Sequence, residues 1–253
     1  MGATGQDCIL WCEDSDQFAA TAADRVAAVL AAQPRGAVAL PTGQTPVGMY
    51  RQLTARAGAR QLDLGRAHFF NLDEYVGLAA DHPLSYARFL QQHLLRPAAI
   101  PAPHVRLLRG DAADLPAEIS DYERAIQSAG GLELAILGLG QNGHVAFNEP
   151  GSDWTLRTHL VQLTAGTRAV HHAQTEGRYE IPWWALTVGI ATLRAARHIV
   201  LLVAGAKGEA LKAWMAGVPD PRWPVTSLLG HPNLTLVCDA ALQRATGGVR
   251  IQP

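Results

Sequence analysis

Three residues in two short segments are the ones in this chain best suited to moving protons. Asp73 opens Asp73-Glu74-Tyr75 directly after a strand-like run, and His144 and Glu149 lie five residues apart in a glycine-containing loop. A carboxylate can carry a proton between neighbouring carbons of a carbonyl compound. An imidazole of near-neutral pKa can donate to, or accept from, a ring oxygen. Each residue also has a plainer use, Asp73 as a helix cap and His144 as a hydrogen-bonded core imidazole. Metal ligation by His144, Glu149 and Asp73 has no usual ligand spacing behind it, so no metal is expected.

A second group of residues suits an anion. Thr42-Gly43-Gln44-Thr45 follows another strand, and Thr45 is expected to cap a helix starting at Pro46. Such a helix presents free backbone N–H groups at the positive end of its dipole, although an ordinary capped turn has the same spelling. Lys207 and Lys212 are the two lysines of the chain, and Lys207 follows a third strand. A compact ammonium suits a phosphate there; the alternative is that one helix merely tolerates both.

Gly138-Leu139-Gly140-Gln141-Asn142-Gly143 spells the dinucleotide fingerprint, but its surroundings do not fit. The fingerprint must open a helix and be followed about twenty residues later by an acid for the ribose. Asn148-Glu149-Pro150-Gly151 interrupts any helix, and Thr155 to Thr175 contains no Asp or Glu. The glycines are expected instead to let backbone approach a ligand closely.

The elements that must position these residues follow from periodicity. Helical spacing at Phe18, Ala22, Val26, Val29 and Leu30 precedes a strand at 37–40 that Pro41 ends. Strands are expected at 68–72, 105–108, 132–137, 198–204 and 234–238, and helices at 85–95, 117–129, 182–196 and 207–215. This alternation predicts an α/β fold: a largely parallel, Rossmann-like sheet with helices on both faces, in a single domain over 1–253. In such a sheet ligands bind beyond the carboxyl ends of the strands, where all the segments above fall. The stretch from Glu149 to Tyr179 has weak periodicity, and a lid is expected within 150–180.

Composition narrows the partners. The chain has 253 residues, 21 basic and 22 acidic, for a net charge of −1, which argues against nucleic-acid binding. The longest apolar run, 199–206, is far short of a membrane span. Three cysteines without zinc-site spacing read as reduced thiols of a cytoplasmic protein.

The motifs together resemble the glucosamine-6-phosphate deaminase family, which is related to 6-phosphogluconolactonases. The resemblance covers nearly the whole chain. It rests on Leu40-Pro-Thr-Gly-Gln-Thr-Pro, on Phe70-Asn-Leu-Asp-Glu-Tyr-Val-Gly with His82-Pro and Ser85-Tyr86, on Gly138 through Gly151, and on Ala185-Leu-Thr-Val-Gly. Lactonases look like Asp-Gly-His followed by Ser-Leu-Phe-Pro, so Ala146-Phe-Asn-Glu-Pro favours the deaminase branch. The resemblance implies conversion of an aminohexose 6-phosphate, glucosamine 6-phosphate above others, to ketohexose 6-phosphate and ammonia, without cofactor or metal. Asp73 would take the C2 proton, His144 would open the ring, and Glu149 would tune His144. The Thr42 to Thr45 loop and Lys207 would hold phosphate. The alternatives within enzymes are a lactonase or another hexose-phosphate isomerase, and outside them a non-catalytic sugar-phosphate sensor.

Several departures from the family pattern bear on the site. Asn142 stands where the family often has Asp, and is expected to orient the imidazole by a hydrogen bond without adding charge. The phosphate-binding arginine of the family falls near Ala173, so Arg168 or Arg178 is expected to substitute. Gln44 replaces a glycine of the phosphate loop. Arg157-Thr158-His159 does not match the basic pair of the allosteric members, so hyperbolic kinetics are expected, in a monomer or homo-oligomer. A sigmoidal rate curve abolished by N-acetylglucosamine 6-phosphate would contradict this.

Overall fold

A computed structural model describes residues 8–246. In chain order its first half runs β1 (Cys8–Cys12), α1 (Ser15–Ala32), β2 (Ala37–Leu40), α2 (Val47–Gly58), β3 (His68–Asn71), β4 (Asp73–Tyr75), α3 (Tyr86–Leu90), β5 (Val105–Arg106) and α4 (Leu115–Ser128). The second half runs β6 (Leu132–Gly138), β7 (His159–Gln162), α5 (Ala165–Gln174), β8 (Trp184–Thr187), α6 (Ile190–Arg194), β9 (His198–Val203), α7 (Gly208–Met215), β10 (Leu234–Asp239) and α8 (Ala240–Ala245). Helix starts are set locally: Asp14, Asp114, Thr164 and Asp239 each accept a first-turn N–H of α1, α4, α5 and α8.

Seven strands form one sheet in the order β1-β10-β9-β6-β2-β3-β5, and every pairing is parallel. Its centre is apolar on both faces, as helices on both sides require. Along β6, Leu134 and Ile136 pack with Val26, Leu30, Tyr50 and Leu53 of α1 and α2, while Ala135 and Leu137 pack with Tyr122, Ile126, Leu193 and Leu211 of the opposite layer. Burying one leucine stabilises by roughly 1.5–3 kcal/mol and one cap by about 1 kcal/mol, so these two layers rather than the caps hold the fold.

Two expectations need correction. Residues 182–196 are not one helix: β8 covers Trp184–Thr187, Gly189 follows, and only Ile190–Arg194 is helical. The apolar spacing of this segment fits either period, and Gly189 lies so close to neighbouring backbone that a Cβ would sit 2.1 Å from the Arg157 carbonyl oxygen. The segment instead joins a second, antiparallel sheet, β4-β8-β7, which local periodicity did not suggest. The 85–95 helix is also divided, its second half being a π-helical turn at Gln91–Leu95. The stretch expected as a lid contains β7 and α5.

The central strands β6 and β2 lead away in opposite directions, β2 to its neighbour β3 and β6 to β9. This is a switch point of the kind at which open α/β sheets bind ligands.

Candidate active site

Beyond the carboxyl ends of these strands lies a cavity of about 690 Å³. Its walls include Thr42, Gly43, Gln44, Thr45, Asp73, Asn142, His144 and Lys207 from four separate strand ends. Glu149 stands behind the wall, buried at 6% exposure.

Asp73 is presented by β4, where the chain leaves the parallel sheet. Asn71 controls that departure: its Nδ2 donates to the Asp73 carbonyl at 2.7 Å, and its Oδ1 accepts from Leu108 N at 2.8 Å. Asp73 pairs in register with Thr187 of β8, and Thr187 Oγ1 accepts from Phe147 N at 3.0 Å. Thr187 therefore fastens the Asp73 strand to the His144–Glu149 loop. Burial, with the neighbouring Glu74 carboxylate in second place, pushes the Asp73 carboxyl up to about 8.

The 139–149 loop is folded around its imidazole. A Cβ on Gly140 would lie 2.4 Å from the His144 ring, so this glycine makes room for the side chain; ligand approach is not needed to explain it. Asn148 ties the loop's turn, its Nδ2 donating to the carbonyls of Val145 and Val188, both at 2.9 Å. Asn142 does not bond the imidazole as expected. Its Nδ2 donates to Glu149 Oε2 at 2.6 Å and its Oδ1 accepts from the His144 backbone N at 3.2 Å.

The other Glu149 oxygen accepts from Thr167 Oγ1 of α5. His144 Nδ1 is 3.9 Å from Glu149 Oε2, too far for a hydrogen bond, and is buried without a partner among the described residues. Burial pulls the His144 pKa down, Glu149 pushes back up, and Lys207 lowers it further. The arrangement gives a neutral imidazole next to a carboxylate able to stabilise its cation.

The end of the cavity expected to hold an anion differs from expectation in two ways. Thr45 is not the cap: α2 begins at Val47, Pro46 occupies the capping position with helical backbone angles, and no side chain caps it. The turn closes through Val47 N to the Gln44 carbonyl at 3.2 Å, and the Pro41 carbonyl accepts from the buried Tyr50 hydroxyl at 2.6 Å.

Neither arginine reaches the cavity wall. Arg168 donates from Nε and Nη2 to the Ile181 carbonyl at 3.0 and 2.8 Å and stacks 3.6 Å from the Trp183 ring centroid. Arg178 pairs with Glu176 on the exposed turn after α5. Both guanidinium groups are thus engaged elsewhere. Lys207, half-buried and without an ion pair among the described residues, is the one lysine or arginine on the wall. Lys207→Ala is therefore expected to raise KM for a phosphorylated substrate roughly 10- to 100-fold, with a smaller change in kcat and a flatter salt dependence. Steady-state kinetics at two ionic strengths check this.

A family described as glucosamine-6-phosphate isomerases/6-phosphogluconolactonase matches residues 13–236. The chain belongs to this family. A glucosamine-6-phosphate deaminase of Porphyromonas gingivalis is 40% identical over 236 residues, covering 90% of this chain and 89% of that protein. One of Mycolicibacterium smegmatis is 39% identical over 240 residues, covering 91% and 90%. The solved structure of a monomeric glucosamine-6-phosphate deaminase superposes with a TM-score of 0.89 at 31% identity, covering 94% of this chain and 99% of its own. A 6-phosphogluconolactonase from Thermotoga maritima, at 21% identity and a TM-score of 0.74, shares the fold.

Relative to this family frame, the cavity also contains residues that sequence reasoning missed. Tyr75 and Tyr86, quoted only as motif letters, line it beside Asp73. Thr167 and His171 reach it from α5. Their four-residue spacing puts them on one helix face, a signal present in the sequence but uninformative until that face is known to cover the site.

Proposed function

We propose that this enzyme converts glucosamine 6-phosphate to fructose 6-phosphate and ammonia in the cytoplasm, as a monomer or homo-oligomer. The observation that carries the reading is the Thr187 link, which sets Asp73 and the His144–Glu149 loop on one cavity with Lys207 on its wall. The names of the 40%-identical relatives support the choice of substrate.

The chemistry follows from the groups present. Neutral His144 accepts the proton of the anomeric hydroxyl and returns it to the ring oxygen as the C1–O5 bond breaks, leaving an open-chain aldehyde. Glu149 stabilises the transient imidazolium. Ionised Asp73 then takes the C2 proton while one ammonium proton passes to the C1 oxygen, leaving an enolamine. Return of the Asp73 proton to C1 yields a C2 iminium, which water converts to ketone and ammonia. Before substrate binds, Asp73 is largely protonated at pH 7, and the substrate's ammonium favours its ionised form. Lys207 and the backbone of Thr42–Thr45 hold the phosphate. The segment 150–180, through α5, acts as the lid over this cavity.

Incubation with glucosamine 6-phosphate, galactosamine 6-phosphate and 6-phosphogluconolactone tests the reading. Ammonia and ketose phosphate are expected in equal amounts from glucosamine 6-phosphate. Lactone hydrolysis without ammonia, or thermal stabilisation by sugar phosphates without turnover, would refute it.

A further inference from the structure

α5 contributes a side chain that the mechanism above leaves without a role. His171 follows Thr167 by one turn, and its ring lines the cavity. His171 Nδ1 lies 2.5 Å from Tyr75 Oη, which lies 3.2 Å from Tyr86 Oη. The ring is held edge-on to Tyr75 and tilted against Phe147, with centroids 6.1 and 5.7 Å away.

The direction of these bonds follows from counting protons. If His171 Nδ1 donated, Tyr75 would donate to Tyr86, and the Tyr86 hydroxyl proton would have no acceptor among the described residues. In the reverse order Tyr86 donates to Tyr75 and Tyr75 donates to His171 Nδ1, so every hydroxyl proton is accepted. The imidazole proton then resides on Nε2, which has no hydrogen-bond partner among the described residues.

We propose that His171 is a substrate-binding donor, its Nε2–H hydrogen-bonded to an oxygen of the sugar phosphate held in the cavity of Asp73 and His144. This rests on the deaminase reading of the site. Tyr75 from β4 bonds the ring, Tyr86 from α3 bonds Tyr75, and His144 and Glu149 from the 139–149 loop act on the ring through charge. Burial and the neighbouring His144 lower the His171 pKa to about 4 against the opposing pull of Glu149, while burial raises both phenols. His171 is consequently neutral across the working range. It offers a fixed donor and does not shuttle protons, which separates its role from that of His144.

Two substitutions test the proposal. His171→Leu removes the donor, whereas His171→Gln returns an amide N–H at about the reach of Nε2. With glucosamine 6-phosphate, kcat/KM is expected to fall about 10- to 100-fold in the first and less than about 5-fold in the second, with the pH profile unchanged in shape in both. Equal losses, or an ionisation missing from the His171→Gln profile, would overturn the proposal.

Histidine ¹⁵N spectra of the Asp73→Asn protein provide a readout independent of turnover. Protonation at His171 Nε2 and a shift of that signal with glucosamine 6-phosphate are expected. A wild type that releases no ammonia sinks the deaminase reading, and these spectra then judge His171 alone. A ring protonated at Nδ1, or an Nε2 signal unmoved at saturating ligand, would overturn the proposal.

Discussion

Asp73→Asn is expected to lower ammonia release by about 10²- to 10⁴-fold while making the protein more stable at neutral pH. The first effect follows from removing the proposed general base for the C2 proton. The second follows from linkage. In the folded chain the Asp73 carboxyl is held at about 8, while in the unfolded chain it has an ordinary aspartate pKa. Between these values the unfolded state has lost its proton and the folded state keeps it. Stability therefore falls as pH rises from about 4 to about 8, and is level above that.

Asparagine cannot ionise and escapes this penalty, which is on the order of a few kcal/mol at pH 8 and absent near pH 4. Thermal melts of both proteins at pH 4.5 and pH 8 read the difference: the gap in Tm should widen with pH. A variant that melts with wild type at both values would show that Asp73 is not strained by burial. In wild type kcat/KM should climb with pH through about 8, the range in which free Asp73 ionises.

His144→Gln should reduce turnover of the cyclic substrate at least about 10²-fold, because no group then moves the proton from the anomeric hydroxyl to the ring oxygen. The residual activity should have a particular form. Open-chain substrate still meets Asp73, so at high enzyme concentration the rate should level off at the uncatalysed rate of ring opening. A rate that keeps rising with enzyme would mean that His144 does not open the ring. Glu149→Gln should give a milder loss and move the His144 ionisation, the lower of the two on the acid side of the kcat/KM profile, to still lower pH while the Asp73 limb near 8 stays in place, since Glu149 is the group that pushes the His144 pKa upward.

Much of this site was legible because its residues lie at strand ends, and strand ends are marked locally. Pro41 stops β2 where the Thr42–Thr45 loop begins, and Gly138 closes β6 where the His144 loop begins. The arginines show the limit of such reading. Their sequence positions suited a phosphate, yet Arg168 finds a backbone carbonyl and an indole, and Arg178 finds a carboxylate two residues away. A guanidinium is satisfied by whichever acceptor its long stem meets, and spacing does not reveal which that is.

By itself the sequence determined the parallel sheet, its two apolar faces and the segments that carry the reactive groups, since each depends on periods of two or 3.6 residues and on breakers within a few positions. Only the tertiary structure decided that β8 is a strand, that Thr187 joins Asp73 to the His144 loop, and that α5 brings Thr167 and His171 against them. Those contacts bridge 18 to 114 residues of chain. Their energy comes from pairing and burial between distant segments, which no local pattern contains.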